Sequence, residues 1–290
     1  MNVRALQSNG LHEIYSVIQA VSLWDQLDIV PNFSAEPGRI RLFCDSPALQ
    51  GETQDNLIVK AYQLFWLTVG QQPVSLDVTL HKRIPVQAGL GGGSSNAAAM
   101  LVALNHLSFA GLSTHALQAM AAKLGADVPF FITGGLAVAS GTGRTIEPLP
   151  PKMVPVYPIV IIKPKTIGSN TAQAYQKFRD LNDYESRSAD HLLLALQKNA
   201  KSHRPICPED YLMNDFETVI FPDFPVLRQI KDALQELGIL KPMLSGSGSA
   251  MFAFVPNYTD ALKQAIAQTF SQKDFDTFWV KPVEASVVQA

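Results

Sequence analysis

Residues 82–105, KRIPVQAGLGGGSSNAAAMLVALN, set Gly89, Gly91, Gly92 and Gly93 immediately before Ser94, Ser95, Asn96 and an alanine-rich helix. Glycines permit positive φ and let bare backbone approach a ligand. The first turn of a helix offers unpaired N–H groups at the positive end of its dipole. Together these features bind an anion. Oligophosphate suits them best, because several converging N–H groups share a charge spread over many oxygens. Other phosphate motifs fit poorly. A P-loop needs a Gly-Lys pair, which the chain lacks, and a dinucleotide fingerprint needs a third Gly where Ser94 stands, directly after a strand. The plainer alternative is a flexible loop capping a core helix.

A second candidate is Asp127 in LGADVPFF. It follows a helix end and Gly125 and is flanked by Val128, Phe130 and Phe131. A carboxylate entering such a partly dry setting needs a partner, although an Asp in an exposed turn would give the same letters. Residues 244–250, LSGSGSA, form another small-residue loop, which fits a tight connection between strands. His12 in NGLHE and Tyr175 in NTAQAYQKF stand alone: a surface or structural histidine, and a half-buried core tyrosine. Ser95 reads as a cap, Asn56 as a helix-start residue, and Lys82 as a solvated strand end.

Composition narrows the class. Apolar residues make up 47% and charged residues 17% of 290, so the chain folds around a sizeable core. With 23 basic against 25 acidic residues, there is no general attraction for nucleic acid or acidic lipid. Cys44 and Cys207 make no disulfide framework, and the six histidines show no zinc spacing. No apolar run approaches the roughly 20 residues of a membrane helix, and the start has no signal or transit pattern. The expectation is a cytoplasmic protein.

The elements that must position these residues follow from periodicity. Residues 8–30 predict one or two strands, and 40–46 another. Residues 55–69 predict a core helix behind an Asp55 cap. A strand at 74–80 leads into the glycines, with helices at 94–108 and 113–124. Glycines at 134–135 and 141–143 mark turns between short strands. Prolines 148–158 suggest a domain junction. Beyond it the pattern predicts a buried strand in PIVIIKP, helices at 170–180 and 188–198 with a charged loop over 179–187 between them, and helical stretches at 214–219 and 224–237. SAMFAFV and TFWVKPVEA close the chain as strands around a helix at 259–270. The mixture without strict βαβ repetition predicts an α+β fold in two layers.

PVQAGLGGGSSNAAA closely resembles the second motif of the GHMP kinases, small-molecule kinases named for galactose, homoserine, mevalonate and phosphomevalonate. GADVPFF, NDFE at 214–217 and SGSGSA follow in family order. The resemblance implies two domains: residues 1–150, ribosomal-protein-S5-like and ATP-binding, and residues 151–290, ferredoxin-like. It implies ATP and Mg2+ as cofactors. Pro85, Gly89, Leu90, Gly91, Gly92, Gly93, Ser94 and Ser95 would then surround the phosphates, with Ser95 as a metal ligand and Asn56 and Lys82 near the adenine. Asp127 would be the catalytic carboxylate, orienting or accepting the proton of the attacking hydroxyl during in-line transfer. Gly246, Ser247 and Gly248 would back the phosphate loop.

The Gly-Gly-Gly-Ser-Ser-Asn form is similar to one branch of the family, whose substrate is a cytidine-diphosphate-linked methylerythritol. There His12 would read the cytosine and Tyr175 would stack on it. Two departures stand out. Leu11 occupies an expected aromatic position, and the family's first motif, a Pro-Ala-Lys-(Ile/Val)-Asn-Leu strand, is absent ahead of His12. The expectation is a first domain short of that leading strand, through a misassigned start or a real loss. Another GHMP kinase of the homoserine or mevalonate type, or a nucleotide-binding protein without full kinase activity, are the alternatives. The expected partner is a small molecule, not nucleic acid or membrane. The expected state is a monomer or homodimer in a bacterial cytosol rather than a plastid stroma.

Overall fold

The computed structural model describes residues 1–8, 10–49, 54–181, 188–202, 211–285 and 287. In chain order the elements begin with β1 (Asn2–Leu6), β2 (His12–Gln19), β3 (Gln26–Pro31), β4 (Ile40–Cys44), α1 (Leu57–Val69) and β5 (Leu76–His81). Next come α2 (Gly92–Leu107), α3 (Thr114–Leu124), α4 (Val128–Thr133), β6 (Leu136–Gly141), β7 (Thr145–Pro148) and β8 (Ile159–Pro164). The chain continues through α5 (Thr171–Leu181), α6 (Ser188–Ser202), α7 (Glu217–Ile220), α8 (Pro225–Glu236), β9 (Met243–Leu244), β10 (Met251–Phe254), α9 (Asp260–Thr269) and β11 (Phe275–Val280).

These elements fall into two compact units. One contains Met1–Ser22, Gln87–Leu90 and Gly135–Glu284, and the other is built on Leu23–Val86 and Gly91–Gly134. The units therefore do not follow a cut near residue 150. β1, β2, β6 and β7 form a sheet of their own in that order, and this sheet clusters with the second half of the chain.

In the first unit a second sheet has the order β11-β8-β10-β9, all antiparallel. β8 lies between β11 and β10, and all six of its residues are buried, which explains the apolar run from Ile159 to Ile162. Phe216, Leu227, Ile230, Leu234 and Phe178 from the helices pack with Val160 and Ile162 of β8 in one core.

In the second unit the sheet order is β3-β5-β4, with β3 antiparallel and β4 parallel to β5. Its core joins Leu76, Val78 and Leu80 of β5 to Ile58, Tyr62 and Phe65 of α1 and to Ala97, Ala98, Leu101 and Leu104 of α2. Helical spacing puts those α2 residues on one face, and the alanines let α1 approach closely. Asn56, not Asp55, caps α1: its Oδ1 accepts the Ile58 N–H at 3.0 Å. A residue one place closer to the helix makes the bond.

Three elements were not legible beforehand. β1 pairs with β2 (Asn2 opposite Tyr15) although its sequence carries no clear alternation. α4 arises ahead of the Gly134–Gly135 turn, where a short strand was expected, with Pro129 in its first turn, where proline is tolerated. β9 has only two residues. α2 begins at Gly92, two residues before the expected start, because Gly91 turns the chain with φ 68°. Of the charged stretch 179–187, residues 182–187 lie outside the described residues, as does Cys207. Cys44 is buried and free. Among the described residues, no helix is long and apolar enough to cross a membrane.

Candidate active site

α2 starts without a side-chain cap, since its N-cap is Gly91 in the left-handed region. The Ser95 N–H bonds back to Gly91 O at 2.8 Å. The N–H groups of Gly92, Gly93 and Ser94 in the first turn find no acceptor among the described residues. Three amides at a helix N-terminus thus stand ready for an anion.

Neighbours in the same unit surround this turn. A Cβ built on Gly91 would come within 2.5 Å of Phe131 Cζ, and one on Gly92 within 2.9 Å of Lys82 Nζ and 3.0 Å of Ile84 Cγ2. One on Gly93 would touch Leu57 Cδ1 at 3.8 Å, so Asn56 at the head of α1 lies close by. Asp127 is the residue before α4, and Phe131 of α4 is one helical turn further on, against Gly91. Asp127 does not cap α4. Solvent reaches its side chain, yet enough protein surrounds the carboxyl for desolvation to push its pKa above the ordinary value. This fits a recessed group that a ligand can still reach. The expected residues Asn56, Lys82, Gly91 to Ser95 and Asp127 therefore gather in one unit, with Pro85 half-buried just after Ile84.

Lys82 is not the solvated strand end its position suggested. Its ammonium forms an ion pair with Asp25 Oδ2 at 2.5 Å, and the two side chains are 7% and 1% exposed. Sequence reasoning missed Asp25, which stands in no motif. Ser95 Oγ donates to Gly92 O at 2.8 Å and keeps lone pairs for a cation. No cluster of three His, Cys, Asp or Glu side chains able to hold a metal occurs among the described residues.

In the other unit, Gly89 and Leu90 open the glycine run against the second small-residue loop. Gly89 has φ 71°, and a Cβ there would lie 2.1 Å from Ser245 O. Ser245 Oγ donates to Gly89 O at 2.9 Å, and Ala250 N–H to Ala88 O at 2.9 Å. Ser247 Oγ pairs with Thr171 Oγ1 at 2.8 Å. Gly246 and Gly248 give the loop its positive-φ turns. Asn214 of the NDFE segment holds this loop from beneath, donating to Leu244 O and Gly246 O at 2.9 and 2.7 Å.

His12 is buried, and its ring stacks on that of Tyr175 with centroids 5.8 Å apart, while Phe178 meets it edge-on at 6.0 Å. The two residues expected around a base are thus brought together, each packed on the other. His12 Nδ1 lies 3.1 Å from Arg4 O. A carbonyl only accepts, so Nδ1 carries the proton, and in neutral imidazole Nε2 is the acceptor. Leu11 beside it is exposed.

An uncapped helix N-terminus packed against Phe131 of α4, with Asp127 just ahead of that helix, sets anion-binding amides and a carboxylate in the same unit. The chain belongs to the GHMP kinases: residues 56–135 match the GHMP kinases N terminal domain and residues 192–272 the GHMP kinases C terminal domain. It is 32% identical to the 4-diphosphocytidyl-2-C-methyl-D-erythritol kinase of a Synechococcus species, over 97% of this chain and 89% of the relative. A crystal structure of 4-(cytidine 5'-diphospho)-2C-methyl-D-erythritol kinase superimposes with TM-score 0.74 at 30% identity, covering 97% of this chain and 94% of that one. Homoserine kinase from Cytophaga hutchinsonii shares the fold, with TM-score 0.66 and 20% identity over 93% and 90% of the two chains.

Proposed function

We propose that this chain is an ATP-dependent kinase that transfers the γ-phosphoryl group to the 2-hydroxyl of 4-diphosphocytidyl-2-C-methyl-D-erythritol, giving the 2-phosphate and ADP. The amides of Gly92, Gly93 and Ser94 take the polyphosphate, with Gly91 shaping the approach. Asn56 and Lys82 lie toward the adenosine end. Ser95 Oγ would be the protein ligand of Mg2+, which when bound would supply charge neutralisation for the transferring group. Asp127 receives or orients the proton of the 2-hydroxyl, and its raised pKa makes the ionised carboxylate a better acceptor.

His12 Nε2, as acceptor, matches the exocyclic amine donor of cytosine, and Tyr175 holds the imidazole in place. Gly246, Ser247 and Gly248 keep Gly89 in position. The relatives are bacterial, and the proposed setting is a bacterial cytosol, within the non-mevalonate route to isoprenoids.

The observation that carries this reading is the uncapped first turn of α2 with the helix of Asp127 packed on it. A panel of acceptor alcohols with ATP and Mg2+ tests it. ADP release together with phosphorylation of the cytidyl substrate is expected. Phosphorylation of homoserine or mevalonate instead would reassign the enzyme within the family, and ATP binding without turnover would make it a nucleotide-binding protein.

A further inference from the structure

The buried pair of Lys82 and Asp25 is placed where stability alone does not call for it. Asp25 precedes β3 and accepts four hydrogen bonds. Its Oδ1 takes the Arg83 and Ile84 N–H groups, each at 2.8 Å, and its Oδ2 takes Lys82 Nζ at 2.5 Å and Asn96 Nδ2 at 3.0 Å. One carboxylate thereby joins the head of β3, the segment after β5 and the first turns of α2. Lys82 Nζ and the Ile84 side chain are the atoms that press on Gly92, so both walls of the helix mouth hang from Asp25.

Two physical points follow. Replacing a buried ion pair by apolar groups of like size is commonly neutral or stabilising, so the pair is poor evidence of a stability role. A cation beside a helix N-terminus also meets the positive end of the dipole and three amides that find no acceptor among the described residues, an unfavourable setting until an anion arrives. Asp25 compensates one charge, and Lys82 has further N–H donors beyond the one spent on it.

We propose that Asp25 is a positioning residue of the nucleotide site, fixing the Lys82 ammonium at the first turn of α2 so that bound nucleotide meets a preset cation. This rests on the reading of the glycine helix as the nucleotide site and adds to it a residue that touches neither ligand nor reacting atoms.

The test measures ATP-analogue affinity by calorimetry and thermal stability side by side. Asp25→Asn keeps an oxygen for the two amides and turns an NH2 toward the ammonium, so it destabilises the fold and weakens binding together. The double variant Asp25→Asn/Lys82→Met removes that repulsion. It should recover the wild-type melting temperature while its nucleotide affinity stays lower by tenfold or more, on the order expected for lost preorganisation, with the Kd for the acceptor alcohol unchanged. Lys82→Met alone should show the same loss.

Wild-type affinity in the double variant, or in Lys82→Met, would overturn the proposal and make the pair a structural bridge. Failure of the wild-type chain to bind the analogue at all would remove the nucleotide reading itself, and the proposal with it.

Discussion

Gly91→Ala isolates the contribution of the helix mouth. Gly91 has φ 68°, and its added Cβ would stand 2.5 and 2.7 Å from Cζ and Cε2 of Phe131. Holding an L-residue in the left-handed region costs about 1–2 kcal/mol, and crowding a methyl into a packed site costs about 1–3 kcal/mol more. The sum is about 2–5 kcal/mol, equivalent to roughly thirtyfold to a few thousandfold in an equilibrium constant. The clash falls on the far end of one aromatic ring, which can shift, so the lower end applies. The ATP KM should rise by about thirty- to a hundredfold.

Combining Gly91→Ala with Phe131→Leu removes most of the crowding and leaves the backbone term. About tenfold of the loss should then return. Initial-rate kinetics at saturating acceptor, with melting curves on the same samples, supply both quantities. An ATP KM within twofold of wild type in folded Gly91→Ala would refute the reasoning, because the turn would then be free to move without consequence for the nucleotide.

Asp127→Asn should lower kcat by about a hundred- to ten-thousandfold with little change in nucleotide affinity, and an unchanged kcat would remove Asp127 from its role. Because burial raises the Asp127 pKa above 3.8, the carboxyl favours folding while protonated and loses that contribution as pH rises through the raised value. Asp127→Asn should therefore melt higher than wild type at neutral pH, with the gap closing in acid, and a higher-melting wild type at pH 7 would contradict this. The wild-type kcat should fall as pH drops through the same raised value, seen as an acid limb above the ordinary carboxylate range. His12→Phe keeps the stack on Tyr175 but loses both ring nitrogens. The acceptor KM should rise at least about tenfold with the ATP KM unchanged, whereas a rise in both would point to general disorder. Asn214→Ala strands two carbonyls, Leu244 O and Gly246 O. It should cost about 1–3 kcal/mol in denaturant unfolding and raise the ATP KM by loosening the loop around Gly89, and unaltered stability would count against that support.

Much of this site could be read in the letters because its chemistry is local. The glycine run, its two serines and the helix after them are contiguous, and they fold into the uncapped turn that their order implies. Apolar spacing likewise located α1, α3, α8 and the buried β8. What could not be read depends on residues brought together from a distance. Asp25 lies 57 residues from Lys82 and 71 from Asn96, and nothing in WDQLD marks it as their shared acceptor.

Lys82 read as a surface cation because strand ends normally face water, and only that distant carboxylate makes its burial tolerable. His12 and Tyr175 were each legible as aromatic candidates, but their mutual stacking arises from α5 packing near β2. The compact units escaped a linear division because β6 pairs with β2 near the start of the chain and carries β7 with it, a long-range choice that proline clusters do not encode.

A crystal of the chain with a non-hydrolysable ATP analogue, Mg2+ and the cytidyl alcohol tests the central claim most directly. Phosphate oxygens are expected about 2.7–3.2 Å from the N atoms of Gly92, Gly93 and Ser94, with the Asp127 carboxylate in hydrogen-bond reach of the 2-hydroxyl, directly or through one water. Phosphates bound away from the first turn of α2, or a 2-hydroxyl served by a group other than Asp127, would contradict it.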